Sequence, residues 1–193
     1  MKKFIMLLLS LGLCLCLTTC AYPEEPPAPD YLAIMTAAAR RGDTELGRET
    51  AQLRNAYIDE HNLADAKISF DDLFLLSKFI QSQAGSFWYT DEFRLCMGEV
   101  VMNRLASPDF PDSISGVIYQ EGQFEGTLTE EFQCHLLPSP ECVEAAIRLL
   151  LGERMMSEEV LYASDEKNGE LYALYSDARF GYTYFCLGEK NPE

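Results

Sequence analysis

Histidine is scarce in this chain, which has only His61 and His135 among its 193 residues. The two lie far apart and neither belongs to a motif with clustered carboxylates, so the sequence does not predict a zinc site. It predicts no bound metal and no cofactor. A Cys-His peptidase is disfavoured as well, because Cys96 falls within an apolar helical segment and not at a helix N-terminus, where a thiol is activated.

Basic residues are also few. Lys and Arg together number 15 against 31 Asp and Glu, which gives a formal net charge of −16. A nucleic-acid-binding protein needs a basic surface to meet phosphates, so this class is excluded. Tight electrostatic adhesion to an anionic wall polymer is disfavoured for the same reason. An uncharged glycan held by stacking and hydrogen bonds is compatible with this charge.

The N-terminus predicts export. Lys2 and Lys3 precede a nearly unbroken apolar run over residues 4–17, and a proline-rich segment follows from Pro23. This is the pattern of a secretory signal peptide, assigned to residues 1–21, and the run is short for a membrane span. An uncleaved N-terminal anchor is the alternative. We expect the protein to be extracellular or anchored to the outer face of the cytoplasmic membrane.

Cys20 is the candidate for a lipid anchor. The run Leu17-Thr18-Thr19-Cys20 resembles a bacterial lipobox, although a Thr just before the Cys is atypical. A lipoprotein and a freely released protein both stay open, and contact with the membrane is expected only through this anchor or the signal segment. The oligomeric state is left open by the sequence.

Four further cysteines follow in the rest of the chain. In an exported protein they allow two disulfides, and Cys134 with Cys142, which flank a proline-containing loop, are the closest local pair. Four reduced thiols are the alternative. The members of this set are Cys96, Cys134, Cys142 and Cys186.

The chain divides into a Pro/Glu-rich tether over residues 22–30, an N-terminal helical appendage over 31–66 and a main domain over 67–190. Within the appendage, helices are predicted over 31–41 and 43–61, and the second has a thin apolar stripe of Leu46, Leu53 and Tyr57. Gly42-Asp43 separates these two helices, and Asp43 or Thr44 is expected to cap the second.

In the main domain, helices come first and short strands last. Helices are predicted over 70–84, with Ser69 or Asp71 as its cap and Gly85 as a left-handed C-cap, over 90–105, and from Ser139 to a stop at Gly152. Short aromatic segments over 160–163, 171–175 and 182–187 predict strands. This order predicts an α+β fold.

Four segments at a particular spacing identify a family. They are Phe79 to Ser86, Met102-Asn103-Arg104, Ser107 to Pro111, and Gly116 to Phe124. Together they resemble the SleB-type cell wall hydrolases, the spore cortex-lytic family that cleaves the glycan strands of peptidoglycan. The resemblance covers about residues 70–187. It implies a mostly helical, lysozyme- or transglycosylase-like domain with a small antiparallel sheet at its C-terminal end, and glycan strands as the binding partner.

The resemblance places Gln83 where the family has its catalytic Glu. A general acid needs a raised pKa, and partial burial next to the negative end of a helix would raise the pKa of a carboxyl group there. An amide keeps the shape and can hydrogen-bond a sugar but cannot exchange a proton at neutral pH. A purely structural role, in which Gln83 satisfies backbone carbonyls at the helix end, is the alternative. Thr183 also falls where the family has a His.

Five further residues complete the predicted site. Glu99 is a substitute candidate for the missing acid, the alternative being a carboxylate paired with Arg94 or Arg104. The resemblance implies a substrate groove lined by Tyr119, Gln120, Gln123 and Phe124. The alternative is that Tyr119 and Phe124 are core aromatics. Three functions stay open: cleavage of glycan strands by a hydrolase or lytic transglycosylase, a wall-binding pseudoenzyme, and an exported interaction lipoprotein.

Overall fold

The computed structural model describes residues 28–188 apart from Glu125. The predicted signal peptide, the lipobox at Cys20 and most of the tether lie outside these residues. No helix within the described part has the length and apolar character that a membrane span requires.

Six α-helices precede a three-stranded sheet, which confirms the predicted α+β fold. The helices are α1 (Tyr31–Arg41), α2 (Thr44–Glu60), α3 (Phe70–Ala84), α4 (Asp91–Ala106), α5 (Ile114–Ile118) and α6 (Pro140–Leu150). A short π-helix, Glu131–His135, lies between α5 and α6. Neither α5 nor the π-helix was predicted, because a segment of five residues is too short to display a helical period.

Side-chain caps determine where the longer helices begin. Asp43 accepts a hydrogen bond from Leu46 N at 3.2 Å, Ser69 accepts one from Asp72 N at 3.4 Å, and Thr90 accepts one from Phe93 N at 3.2 Å. Each bond satisfies one of the amides that a helix leaves free at its first turn. Asp43 and Ser69 are therefore the caps of α2 and α3, which decides two alternatives that the sequence leaves open.

The left-handed C-cap predicted at Gly85 is wrong. Gly85 has φ −75° and ψ −10°, which is right-handed helical backbone. A glycine is nevertheless required, because an added Cβ would come within 2.3 Å of the Gln81 carbonyl and even closer to its side-chain amide. The space left by the missing Cβ lets Gln81 Oε1 accept a hydrogen bond from Ser139 N at 2.8 Å, which joins the end of α3 to the start of α6.

The core is built around α3 and includes the two N-terminal helices. Met35 of α1 and Ala51 of α2 are buried in the same cluster as Phe70 and Phe79 of α3. Small residues bring α2 close, since a Cβ at Gly47 would lie 2.2 Å from the Phe70 ring. The predicted stripe on α2 is wrong at Leu53, which is 54% exposed. Residues 31–66 thus pack on the main domain, and the domain boundary at residue 66 stays a prediction.

The sheet is antiparallel, with strand order β1-β3-β2. Its strands are β1 (Val160–Ser164), β2 (Leu171–Asp177) and β3 (Gly181–Leu187). In the β2–β3 pair, Tyr175 stands opposite Thr183 and Ala173 stands opposite Phe185. Buried Val160 and Phe185 attach the sheet to the helical core, so that strand β3 and helix α4 share one apolar layer.

Cys96, Cys134, Cys142 and Cys186 are all free thiols. Cys142 and Cys186 are fully buried, whereas Cys134 is exposed, so the local disulfide between Cys134 and Cys142 is not formed. Burial, together with the neighbouring Glu99 and Glu92, raises the pKa of Cys96 to about 11. The thiolate that reacts with alkylating agents is therefore scarce at Cys96.

These environments predict an order of thiol reactivity. At pH 8, a thiol of pKa about 11 is about one part in a thousand thiolate. We expect iodoacetamide to modify the exposed Cys134 well before Cys96, and Cys142 and Cys186 only after unfolding. Peptide mass spectrometry over a time course measures this. Detection of the Cys134 and Cys142 peptides joined by a disulfide, with neither thiol modified, would contradict the free-thiol arrangement.

Candidate functional site

Gln83 is the penultimate residue of α3, one turn after Phe79. Phe79, Ile80 and Ala84 around it are fully buried, whereas the Gln83 side chain is half-buried. Its Nε2 donates a hydrogen bond to Ser82 Oγ at 3.2 Å, and this is its only side-chain partner in the described part of the chain. The amide is therefore free to meet a ligand, and it lies at the negative end of the helix.

The turn after α5 reaches α3 through aromatic rings. Phe124 packs edge-on against Phe79 with ring centroids 4.6 Å apart, and Tyr119 packs edge-on against Phe132 at 6.2 Å. Both Tyr119 and Phe124 are half-buried against the core, and burial raises the pKa of Tyr119. These contacts favour the reading of Tyr119 and Phe124 as core aromatics.

The two glutamines of this turn differ. Gln123 is exposed, whereas Gln120 is half-buried and its Oε1 has no hydrogen-bond partner within residues 28–188. A buried acceptor without a partner costs free energy, so Gln120 Oε1 is poised to accept a bond from a ligand or water. Their assignment to a substrate groove stays a prediction.

Thr183 lies on β3 and is half-buried. Its cross-strand neighbour Tyr175 stacks on Phe93 of α4 with ring centroids 4.1 Å apart. Phe93 also stacks on Tyr89, at 4.5 Å, in the loop that follows Gln83. The sheet position of Thr183 is thereby joined to the α3–α4 loop through aromatic rings, and no hydrogen bond joins Thr183 directly to Gln83 among the described residues.

Glu99 is fully buried on α4. Its Oε2 accepts a hydrogen bond from Met155 N at 2.8 Å and its Oε1 accepts one from Met156 N at 2.9 Å. It therefore holds the backbone that leads into β1. It forms no ion pair with Arg94 or Arg104 within the described residues, whereas Arg94 pairs with Asp91 at 2.9 Å. A catalytic role for Glu99 stays a prediction that these bonds do not favour.

Asn103 and Arg104 extend the same attachment. Asn103 Nδ2 donates to Ser157 O and Val160 O, both at 3.0 Å, and Arg104 Nε donates to Leu161 O at 2.7 Å. Three buried polar residues of α4 thus bind successive backbone groups between Met155 and Leu161. Backbone contacts of this kind explain an Asn-Arg pair on a helix without assigning it a catalytic role.

Arg104 is enclosed by aromatic rings. Its guanidinium lies 4.6 Å from the centroid of Phe124, 4.9 Å from that of Phe110 and 5.3 Å from that of Tyr162. Burial lowers the pKa of Arg104 to about 10. Cation–π attraction offsets part of the cost of burying the charge. Arg104 therefore fixes the Phe124 side of the turn against the sheet.

Two of the cavities among the described residues lie at opposite ends of α4. The larger, about 1130 Å³, is lined by residues that include Asn103, Ser107 and Leu161, and none of the predicted catalytic positions lines it. The smaller, about 540 Å³, begins at Gly85, two residues after Gln83, and is lined by Phe87, Tyr89 and Arg94. We place the candidate site at the end of α3, where Gly85 begins the smaller cavity, although Gln83 itself does not line that cavity.

Sequence reasoning missed the loop between α3 and α4. Three consecutive aromatics, Phe87-Trp88-Tyr89, occupy it, and Phe87 is 77% exposed. Aromatic residues in a short connection between helices are the feature that could have found it. Within residues 28–188, no group of three or more His, Cys, Asp or Glu side chains is arranged to hold a metal ion.

The chain matches one family model and is similar to curated proteins. Residues 90–185 match the model of a family described as Cell Wall Hydrolase, a range that begins seven residues after Gln83. The chain is similar to the spore cortex-lytic enzyme of Halalkalibacterium halodurans, at 26% identity over 138 residues, which cover 70% of this chain and 41% of that protein. It is also similar to the spore cortex-lytic enzyme of Bacillus subtilis, at 33% identity over 94 residues, which cover 49% of this chain and 29% of that protein.

The chain therefore spans less than half the length of these curated relatives. No solved structure matches it.

Proposed function

We propose that this protein binds the glycan strands of peptidoglycan and cleaves them slowly, because residues 90–185 match the model of a family described as Cell Wall Hydrolase. The observation that carries the proposal is Gln83, a half-buried amide at the end of α3, two residues before Gly85, which lines a cavity. The amide can hold a sugar by donating and accepting hydrogen bonds. It supplies no proton to the leaving oxygen, and general acid catalysis is typically worth about 10²–10⁴ in rate.

Two reaction classes, hydrolysis and lytic transglycosylation, would use this site. A hydrolase needs an acid and an activated water, whereas a lytic transglycosylase uses one residue as base and then acid and a hydroxyl of the sugar as nucleophile. In either route Gln83 would position the strand, and Gln120 Oε1 and Gln123 would hydrogen-bond the sugars. We place this chemistry in residues 67–190, outside the cytoplasmic membrane, with the protein either released or anchored through Cys20.

A wall-binding pseudoenzyme is the second candidate. The engagement of both Glu99 oxygens by backbone amides favours it, because Glu99 is then not available as a replacement acid. Both candidates require binding to the wall, and they differ only in turnover. The interaction lipoprotein that the sequence leaves open requires neither binding to the wall nor turnover.

Purified peptidoglycan sacculi separate these functions. We expect the protein to co-sediment with sacculi, and prolonged incubation to release soluble muropeptides at a rate far below that of a family member with Glu at this position. Binding without any released muropeptide would contradict slow cleavage and support the wall-binding pseudoenzyme. Failure to co-sediment would overturn both wall functions and support the interaction lipoprotein.

A further inference from the structure

Large aromatic side chains are exposed together where the α3–α4 loop meets the β2–β3 hairpin. We name Phe87, Trp88 and Phe180 the aromatic ridge; they are 77%, 48% and 45% exposed. Single exposed apolar residues are ordinary, but a contiguous apolar group of this kind marks an interaction site.

Ring contacts hold the two loops of the ridge together. Phe87 packs on Trp88 with centroids 4.2 Å apart, and the Arg179 guanidinium of the hairpin lies 4.0 Å from the Trp88 centroid. Phe180 stacks on Tyr89 at 4.4 Å. The ridge is therefore one surface built from two loops.

The ridge is supported from the core outwards. Tyr89, below Phe180, stacks on buried Phe93, which in turn contacts Phe185 edge-on at 6.1 Å. Arg179 is itself held by Asp177, whose Oδ1 accepts from Arg179 N at 2.8 Å. A ligand that stacks on rings already fixed in place loses less conformational entropy on binding.

We propose that the aromatic ridge is a binding site for uncharged, N-acetylated glycan strands, separate from the reacting position at Gln83. The C–H face of a pyranose ring stacks on an aromatic face, which carries partial negative charge. Trp88 Nε1 can donate a hydrogen bond to the hydroxyl and acetamido oxygens at the edges of the sugars. This inference rests on the proposed function, because it takes the same polymer as its ligand.

Charge and position favour a glycan over other occupants. The chain has a formal charge of −16, and the ridge is flanked by Asp91, Glu92 and Asp177, so an anionic bilayer is repelled. The ridge begins at Phe87, which also lines the cavity next to the end of α3. A glycan strand lying on the ridge can therefore extend toward Gln83.

Trp88 provides a direct test, because it is the one tryptophan of the chain. The probe is the hexasaccharide of N-acetylglucosamine, titrated against the full exported chain while Trp88 emission is recorded. We expect a saturable change in emission, and about tenfold weaker binding after Phe180→Ala or Phe87→Ala. Leu53→Ala on α2 is the matched control, since Leu53 is 54% exposed and lies away from the ridge; it should bind as wild type does.

Co-sedimentation with sacculi distinguishes the two proposals. If sacculi bind wild type and the ridge variants equally and Trp88 emission stays constant, the ridge proposal is overturned and the proposed function stands. If the hexasaccharide binds through the ridge but neither wild type nor Gln83→Glu cleaves sacculi, the ridge stands and the cleavage proposal fails. A response of Trp88 to phosphatidylglycerol vesicles alone, or a dimer in sedimentation velocity that the ridge variants dissociate, would also overturn the ridge proposal.

Discussion

Gln83→Glu is expected to increase the rate of glycan cleavage by about 10²–10⁴, the usual contribution of a general acid. The substitution keeps the length of the side chain and replaces the amide by a group that can carry a proton. Phe79, Ile80 and Ala84 around position 83 are fully buried, so a carboxyl group there is partly removed from water. Partial burial and the negative end of α3 both raise the pKa of such a carboxyl group.

The pH dependence follows from the direction of that shift. An acid acts in its protonated form, so the rate of the Gln83→Glu variant should fall as the pH rises through the raised pKa of the new carboxyl group. The measurement is the loss of turbidity of purified sacculi over a range of pH. Ser82→Glu is the matched control, because it adds the same group to the exposed neighbouring residue. Equal gains from both substitutions would show that position 83 is not special.

Glu99→Ala is expected to destabilise the fold by about 2–4 kcal/mol, because it removes the acceptor for two backbone amides and leaves a space in the core. Met155 N and Met156 N bind its two oxygens at 2.8 Å and 2.9 Å. For a domain of this size, such a loss lowers the midpoint of thermal unfolding by roughly 5–15 °C. Circular dichroism during heating measures it.

Glu144→Ala is the control for this substitution. Glu144 is an exposed residue of α6, and its removal should change stability by less than about 0.5 kcal/mol. A Glu99→Ala variant with an unchanged unfolding midpoint and abolished cleavage of sacculi would contradict the structural role. It would instead support Glu99 as the replacement acid.

Much of the helical framework is predictable because caps are local chemistry. Asp43, Ser69 and Ser139 each accept a bond from an amide three residues later, and the helices begin where those residues predict. The strands are predicted equally well, since their aromatic segments lie between turns at Gly169 and Gly181 that require positive φ. Local sequence contains the cause in each of these cases.

Features that depend on tertiary contacts could not be predicted. Gly85 is glycine because the Gln81 side chain passes beside it to reach Ser139, a residue 58 positions later. Leu53 is exposed because α2 packs through Gly47 and Ala51, whose small size is a weak signal in a hydrophobic pattern.

The candidate site likewise has one part that the sequence predicts and another that depends on tertiary contacts. The position of Gln83 follows from a local motif at a helix end, so the sequence predicts both the helix and the missing acid. The hydrogen bonds from Met155 N and Met156 N to Glu99 join segments that are distant in sequence, and so does the contact of the Arg179 guanidinium with Trp88. A polar residue on an apolar helix reads as a candidate for catalysis until its partners are known.

The proposed function depends on one claim, that the end of α3 has the shape for an acid that the chain does not supply. Mass spectrometry of the soluble products released from sacculi by Gln83→Glu, with Ser82→Glu alongside, tests it most directly. We predict muropeptides with newly cleaved glycosidic bonds from Gln83→Glu at a rate far above both wild type and Ser82→Glu. A folded Gln83→Glu protein that binds sacculi but releases no more muropeptide than wild type would contradict it.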